Sequence, residues 1–354
     1  MSKMQEVNQG QVEQVSFGAI QHNISNIVPT SSEISHLWSS YIAECMSVAM
    51  AKYMVEKSKD PDIHNVLQQA LNISNQRVIS MENIFNSIQH PIPDAFNEKD
   101  VDINARELFT ETFSLNYTRL MTKFILLNYS VAFTESSRSD FRNFFAESID
   151  TSREINEKAS NILLAKGLLQ KSPYTPTPDR VEYIRDIKSY FGSFFGSDRP
   201  LNTLEISNIY RVLDFKMAVR ALKLGFAQVI KSDKLRDHLK RGLVIADKQI
   251  EILLSLLMKE GLPGPELINY QVTDSKESPF SDRLMMFHVT VTMAYILSSY
   301  GLGLTNSLRK DVVSTFSRLM AEILQYSKDG ADLLIENKWL EKIPEAANRQ
   351  ELTH

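Results

Sequence analysis

Two copies of one pattern run through this chain, and a duplicated fold is the strongest constraint on what it can become. Glu33-Ile34-Ser35 returns 172 residues later as Glu205-Ile206-Ser207, and the same offset carries Leu67 onto Leu239, Pro91 onto Pro263 and Pro93 onto Pro265. Further along the offset is 171: Phe109 falls on Phe280, Arg138 and Asp140 on Arg309 and Asp311, Phe145 on Phe316, and Pro173 on Pro344. One residue of drift fits a single difference in loop length. Each copy has about 150 residues, enough to bury its own core, so two similar domains are expected rather than a thin solenoid.

Helical periodicity dominates each copy, and strand-like alternation is largely missing. In the first, Ile34, Leu37/Trp38, Tyr41, Cys45, Val48 and Val55 form one apolar stripe. That helix starts after Pro29, with Thr30, Ser31 or Ser32 available as N-cap. Ser31 and Ser32 give no capping box, but Glu33 sits in the first turn, where negative charge is favoured. A second helix opens at Asp60-Pro61-Asp62 and runs to about Gln89. Pro91-Ile92-Pro93-Asp94 then begins a non-helical connection. A third helix passes Phe109, Phe113, Tyr117, Leu120, Phe124 and Leu127, and a fourth runs from near Ser139 to Lys166-Gly167, the glycine serving as C-cap. The second copy places its helices at about 203–230, 233–260, 280–304 and 308–337.

Short joints within each helix pair make antiparallel hairpins, whereas the long proline-bearing connection can cross the length of the bundle. That is ferritin-like connectivity. The expected fold class is therefore all-α: two tandem ferritin-like up-down four-helix bundles. The expected domains are a flexible polar N-terminal arm (1–28), a first bundle (29–173), a Pro/Phe-rich linker (174–200), a second bundle (201–344) and a polar C-terminal tail (345–354). Phe191, Phe194 and Phe195 are too apolar for a free linker and are expected to pack between the domains.

Bulk properties exclude several function classes. With 354 residues, 43% of them hydrophobic, and a net charge of -4, the chain has no large cationic footprint, so no nucleic-acid partner is expected. Lys231, Lys234, Arg236, Lys240 and Arg241 form a local basic patch, diluted by Asp233, Asp237 and Asp247, that reads as a solvated helix face. The lone cysteine, Cys45, excludes an intramolecular disulfide and reads as a buried hydrophobe. The opening MSKMQEVNQGQVEQV is polar and carries no hydrophobic signal, which makes the cytoplasm the expected location. Leu284–Leu304 lacks charge and could span a bilayer by length. Its repeat partner carries Arg119 and Lys123, however, so no integral membrane span is expected.

Several segments carry a family resemblance. PIPDAFNEKDVDINARELFTETF (91–113), RPLNTLEISNIY (199–210), SPFSDRLMMFH (278–288) and KDGADLLIENKWLE (328–341) resemble the Bacillus-type DUF3231 proteins, which are duplicated ferritin-like proteins related to the spore coat protein F superfamily. The resemblance covers about 30–344. It implies paired helical bundles, a spore-forming firmicute source with the forespore or spore coat as an alternative location, and no established enzyme activity.

A ferritin-like bundle raises the question of a metal centre. A di-iron site needs a Glu from two helices and Glu-x-x-His from each of the other two. Glu351-Leu352-Thr353-His354 lies at the polar chain end. Glu33-Ile34-Ser35-His36 opens a helix, and its copy, Glu205-Ile206-Ser207-Asn208, lacks the imidazole. Glu82 maps onto Leu254, and Glu111 and Glu147 onto Asp282 and Arg318, which favours surface positions for these carboxylates. His288 maps onto Tyr117 and reads as a core hydrogen bonder. No catalytic residue and no cofactor is expected; a metal ion is the alternative, with His288, Glu33 and His36 as candidate ligands. The leading expectation is a non-catalytic structural or interaction protein, associated with sporulation or the spore coat, with protein partners or self-association. The alternative is a small-ligand or metal-binding bundle, conceivably an oxidoreductase, with an enclosed pocket near His288, Tyr117 or the interdomain groove. A weaker one is a peripheral membrane module using Phe191–Phe195.

Overall fold

The computed structural model describes residues 13–15, 20–22, 24–192 and 199–349. Among these lie nine α-helices. The first bundle is α1 (Ser31–Lys57), α2 (Pro61–Ser87), α3 (Glu111–Glu135) and α4 (Ser139–Ala165). A short α5 (Ile187–Phe191) precedes the second bundle, α6 (Thr203–Val229), α7 (Asp233–Met258), α8 (Asp282–Asn306) and α9 (Lys310–Glu336). Helix starts repeat at 172 for the first hairpin and at 171 for the second. The 3-10 turns Glu98–Asp100 and Asn269–Gln271 already stand 171 apart. The one-residue slip therefore lies between Pro93 and Glu98, inside the long connection.

Capping chemistry fixes where the rods begin and end. Thr30 is the N-cap of α1: its hydroxyl accepts from the Glu33 amide, and the Glu33 carboxylate accepts from the Thr30 amide at 2.6 Å. Asn202 and Glu205 repeat this box on α6. The box absent from Ser31 and Ser32 thus sits one residue earlier. Asp60 caps α2 and is followed by Pro61 at the first helical position. Gly167, at φ +70°, ends α4 as expected, and its repeat partner Lys338 adopts the same left-handed geometry at φ +59°.

Two carboxylates, Glu33 buried and Glu111 half-buried, set the helix directions. Glu33, at the start of α1, accepts from the amides of Ser137 and Arg138 in the α3–α4 turn, both at 2.8 Å. Glu111, at the start of α3, accepts from the amides of Lys59 and Asp60 in the α1–α2 turn, both at 2.8 Å. So α2 ends at one end of the bundle and α3 begins at the other, and residues 88–110 must run its length. Glu205 on Leu308 and Arg309, and Asp282 on Lys231 and Ser232, repeat both staples in the second bundle. Glu111, expected at the surface, is half-buried there, held by the backbone amides of a tight helical turn. Each core is conventional: Leu37, Phe85, Phe113, Phe141 and Phe145 in one, Phe226, Leu239, Met285 and Phe316 in the other, all essentially solvent-free. Burying each such side chain is worth about 1.5–3 kcal/mol.

The bundles meet through a pseudo-twofold seam. The two long connections exchange antiparallel bridges, Val101 with Phe280 and Phe109 with Val272, and each of these pairs maps onto the other under the repeat. Segments after the last helix of each bundle are also exchanged. Glu341 accepts from the Asp94 and Ala95 amides of the first connection, and Gln170 accepts from the Glu266 amide of the second. Helices α3 and α8 line the axis, where equivalent residues touch: Phe124 meets Tyr295 edge-to-face at 5.7 Å between ring centroids.

The polar N-terminal arm includes an antiparallel hairpin, β1 (Glu13–Val15) with β2 (Ile20–His22), whose three-residue strands are too short to leave a periodicity in the sequence. One expectation needs correction. Phe191 does not pin the domains: 36% exposed, it rests on its neighbour Tyr190, because the five-residue α5 is too short to present a buried face. Phe194 and Phe195 lie outside the described residues. Helix α8 is the one described helix long and apolar enough to cross a membrane, and it is largely buried between its own bundle and the seam.

Candidate ligand site at the seam between the bundles

The pseudo-twofold axis creates two equivalent clefts, one on each side of α3 and α8. Much of the lining corresponds between them. Trp38, Ser39 and Ile42 of α1 match Tyr210, Arg211 and Asp214 of α6; Phe124 and Ala294 match Tyr295 and Lys123; Glu341 and Ile343 match Gln170 and Ser172. The chemistry has diverged completely. One cleft carries Arg119, Lys123, Arg211 and Asp214. The other is an apolar cavity of about 290 Å³.

Helix α1 supplies Ile42, Ala43 and Met46 to the apolar cavity, α3 supplies Met121 and Ile125, and α8 supplies Phe287 and Val291. Leu340 and Ile343 of the exchanged C-terminal segment form its outer wall. A few polar groups interrupt this lining. Tyr117 hydrogen-bonds His288 Nε2 at 2.8 Å, as the core reading of His288 anticipated. Complete burial pushes the imidazole down to about 3, so it is neutral. Its Nδ1 has no partner. Glu44 accepts from the Tyr129 hydroxyl at 2.6 Å and from Arg77 at 2.9 Å, both through Oε1, and its Oε2 has no partner. Trp38 Nε1 is likewise unpaired. His288, Glu44 and Trp38 are all buried, and all three line the cavity.

The metal candidates are not brought together. Glu33 is consumed by helix ends; burial opposes its ionisation, but the amides of Arg138, Thr30 and Ser137 hold its carboxyl below the usual range. His36 pairs with Glu135 at 2.9 Å on the cavity rim. Among the described residues no three His, Cys, Asp or Glu side chains converge on one point. Mid-bundle, where a di-iron protein gathers carboxylates, the first unit buries Glu44 beside a cation, while the half-buried Glu82 accepts from Tyr41 at 2.9 Å. Arg77 donates to Glu44, to Ser148 O at 2.7 Å and to Ser152 Oγ at 2.6 Å. Burial disfavours that charge, yet Glu44 and the other groups around it hold Arg77 above its ordinary value. In the second unit Lys216 stands where Glu44 does and Gln249 where Arg77 does, with Tyr300 donating to Gln249 at 2.9 Å. These donor sets do not fit a di-iron centre.

Burial raises the Cys45 thiol to about 11, the opposite of an activated thiolate. The basic patch is ion-paired: Arg236 with Asp233, Lys234 with Glu336, Arg241 with Asp329. The buried charges Glu44, Arg77, Asp214, Lys216 and Lys223 escaped the sequence reading. Alignment of the repeats carried the signal, since it puts Glu44 on Lys216 inside otherwise apolar stripes.

Fold and seam together define a duplicated pair of four-helix bundles with one apolar interdomain cavity. The chain belongs to the DUF3231 family, proteins of unknown function, whose pattern it matches twice, over residues 22–181 and 190–352. Comparison with curated proteins finds no match. A solved structure of a candidate spore coat protein from Bacillus halodurans C-125 is similar at 16% identity, over 45% of this chain and 100% of that one, with a TM-score of 0.38.

Proposed function

We propose that this is a non-catalytic binding protein whose interdomain cavity takes a small molecule with an apolar body and one hydrogen-bonding head. The observation that carries the reading is the pair of unpartnered buried atoms, Glu44 Oε2 and His288 Nδ1, in residues that line an otherwise apolar cavity. Leaving such an atom unpaired costs about 1–3 kcal/mol, so each calls for a partner. A ligand hydroxyl can donate to the carboxylate or accept from the imidazole. The volume lies at the lower end of the ~300–1,000 Å³ typical of ligand pockets, which suits a single short chain or ring rather than a nucleotide-sized cofactor.

The chain's two tryptophans provide the test: Trp38 lines the cavity and Trp339 adjoins its outer wall. Titration with 1-octanol should give a saturable change in intrinsic fluorescence, and Ala43→Phe, which fills the cavity, should abolish it without unfolding the protein. Absence of saturation, or equal binding by the filled variant, would overturn the reading. As to location, the sequence resemblance supports a cytoplasmic protein of a spore-former, with the forespore or coat as the more specific proposal. Immunoblotting of fractionated sporulating cells tests that separately.

A further inference from the structure

The second cleft, pseudo-equivalent to the apolar one, is built differently, and we propose that it binds a multivalent oxyanion, either a phosphate or a polycarboxylate. It is an open groove of about 410 Å³ between α3 and α6. Its charged lining is three cations, Arg119, Lys123 and Arg211, against one carboxylate, Asp214.

Asp214 does not satisfy all three. It accepts from Lys123 Nζ at 2.9 Å and, more loosely, from Arg119 Nη2 at 3.3 and 3.4 Å. Arg211 Nη1 is buried without a partner, and so is the hydroxyl of Tyr210, a residue 8% exposed on the same wall. An unpaired guanidinium N–H and an unpaired phenol hydroxyl beside a second arginine and a lysine form a donor set suited to an oxyanion. Burial holds Lys123 below its ordinary value against the pull of Asp214, with the charges of Arg119 and Arg211 adding to the depression.

A merely structural role does not account for the charges. The equivalent positions across the axis are Thr290, Ala294, Ser39 and Ile42, none of them charged, and Ala294, Ser39 and Ile42 line the apolar cavity instead. The cluster belongs to one copy alone.

Isothermal titration of the full chain with inorganic phosphate and, separately, with citrate tests the proposal and tells the two sources apart. Saturable one-to-one binding of either is expected, weakened about tenfold or more in Arg211→Gln. Asp214→Asn should strengthen binding, because it removes the one competing negative charge; a variant that only breaks a structural ion pair would not. Circular dichroism establishes that each variant is folded. The proposal fails if neither anion saturates below about 10 mM, or if folded Arg211→Gln binds as the wild type does.

Discussion

Tyr117 and His288 occupy equivalent positions of the two repeats and are hydrogen-bonded to each other at 2.8 Å. A contact between equivalent residues places them on the pseudo-twofold axis, where a homodimer would have to pair a residue with itself. Duplication within one chain released that constraint. The two positions could then diverge into a donor and an acceptor, and the clefts on either side could diverge with them.

This pair makes the seam sensitive to acid. Burial lowers His288 to about 3 and His238 to about 4, the latter helped by the Arg241 and Lys223 charges. The unfolded chain therefore binds more protons below the ordinary value of 6.5. Stability should be fully present above pH 6.5 and fall as the pH drops towards 4, by up to about 1.4 kcal/mol per pH unit for each histidine. Urea unfolding across that range checks the slope. Tyr117→Phe, which strips the imidazole of its one partner, should cost about 1–3 kcal/mol, and the double variant with His288→Phe should recover part of the loss and one histidine's share of the slope.

Lys223 is a further buried titrating group, and its depressed value acts in the same direction but at and above neutral pH. Its ammonium lies 3.7 Å from Met293 Sδ and 4.6 Å from the centroid of the Tyr326 ring, and burial lowers it to about 7. Between pH 7 and the ordinary 10.5 the folded chain binds fewer protons than the unfolded one, so wild-type stability should rise with pH through that window. Lys223→Met should raise stability at pH 7 by on the order of 2 kcal/mol and flatten the rise. Unfolding curves at pH 7, 8.5 and 10 decide the matter.

Helix-end staples carry a larger share of stability than surface ion pairs. Glu33 accepts four hydrogen bonds, from Thr30 N, Ser137 N, Ser137 Oγ and Arg138 N. Glu33→Ala should cost about 3 kcal/mol or more, because it orphans donors at two helix ends. Glu157→Ala, at an exposed pair with Arg153, should stay within about 0.5 kcal/mol. Thermal denaturation of both variants gives the comparison.

Gly225 marks a place where the repeats were made to differ. Its counterpart Tyr53 packs on Phe280 at 5.2 Å, whereas the ring of Phe109 presses directly on Gly225. A Cβ there would lie 2.5 Å from Phe109 Cε1. Gly225→Ala gains about 1 kcal/mol of helix propensity but overpacks a ring that cannot shift within the core. The expected outcome is a net loss of about 1–3 kcal/mol in chemical denaturation, with no loss of helical content.

Much of this architecture was legible in the chain. Proline at the connections and glycine or capping residues at the ends located the helices, because those residues act locally. Repeat offsets predicted the duplication, and the long connection opened by Pro91-Ile92-Pro93-Asp94 predicted the crossing, although the helix after it starts at Glu111, beyond the expected Phe109. Tertiary burial was not legible. Most of α6 is buried, so Asp214, Lys216 and Lys223, which look like an exposed polar face in one dimension, are interior. Nor could periodicity show that the two clefts are equivalent, since that relation exists only across the axis. Phe191 misled for the converse reason: apolar composition does not bury a residue whose helix is too short to reach a core.

Anomalous diffraction from crystals grown with 8-bromo-1-octanol tests the central claim most directly. A bromine peak in the cleft between α1, α3 and α8, with the hydroxyl within hydrogen-bonding distance of Glu44 Oε2 or His288 Nδ1, is the predicted result. A cleft closed by repacked side chains, with bromine absent or scattered over the surface, would contradict it.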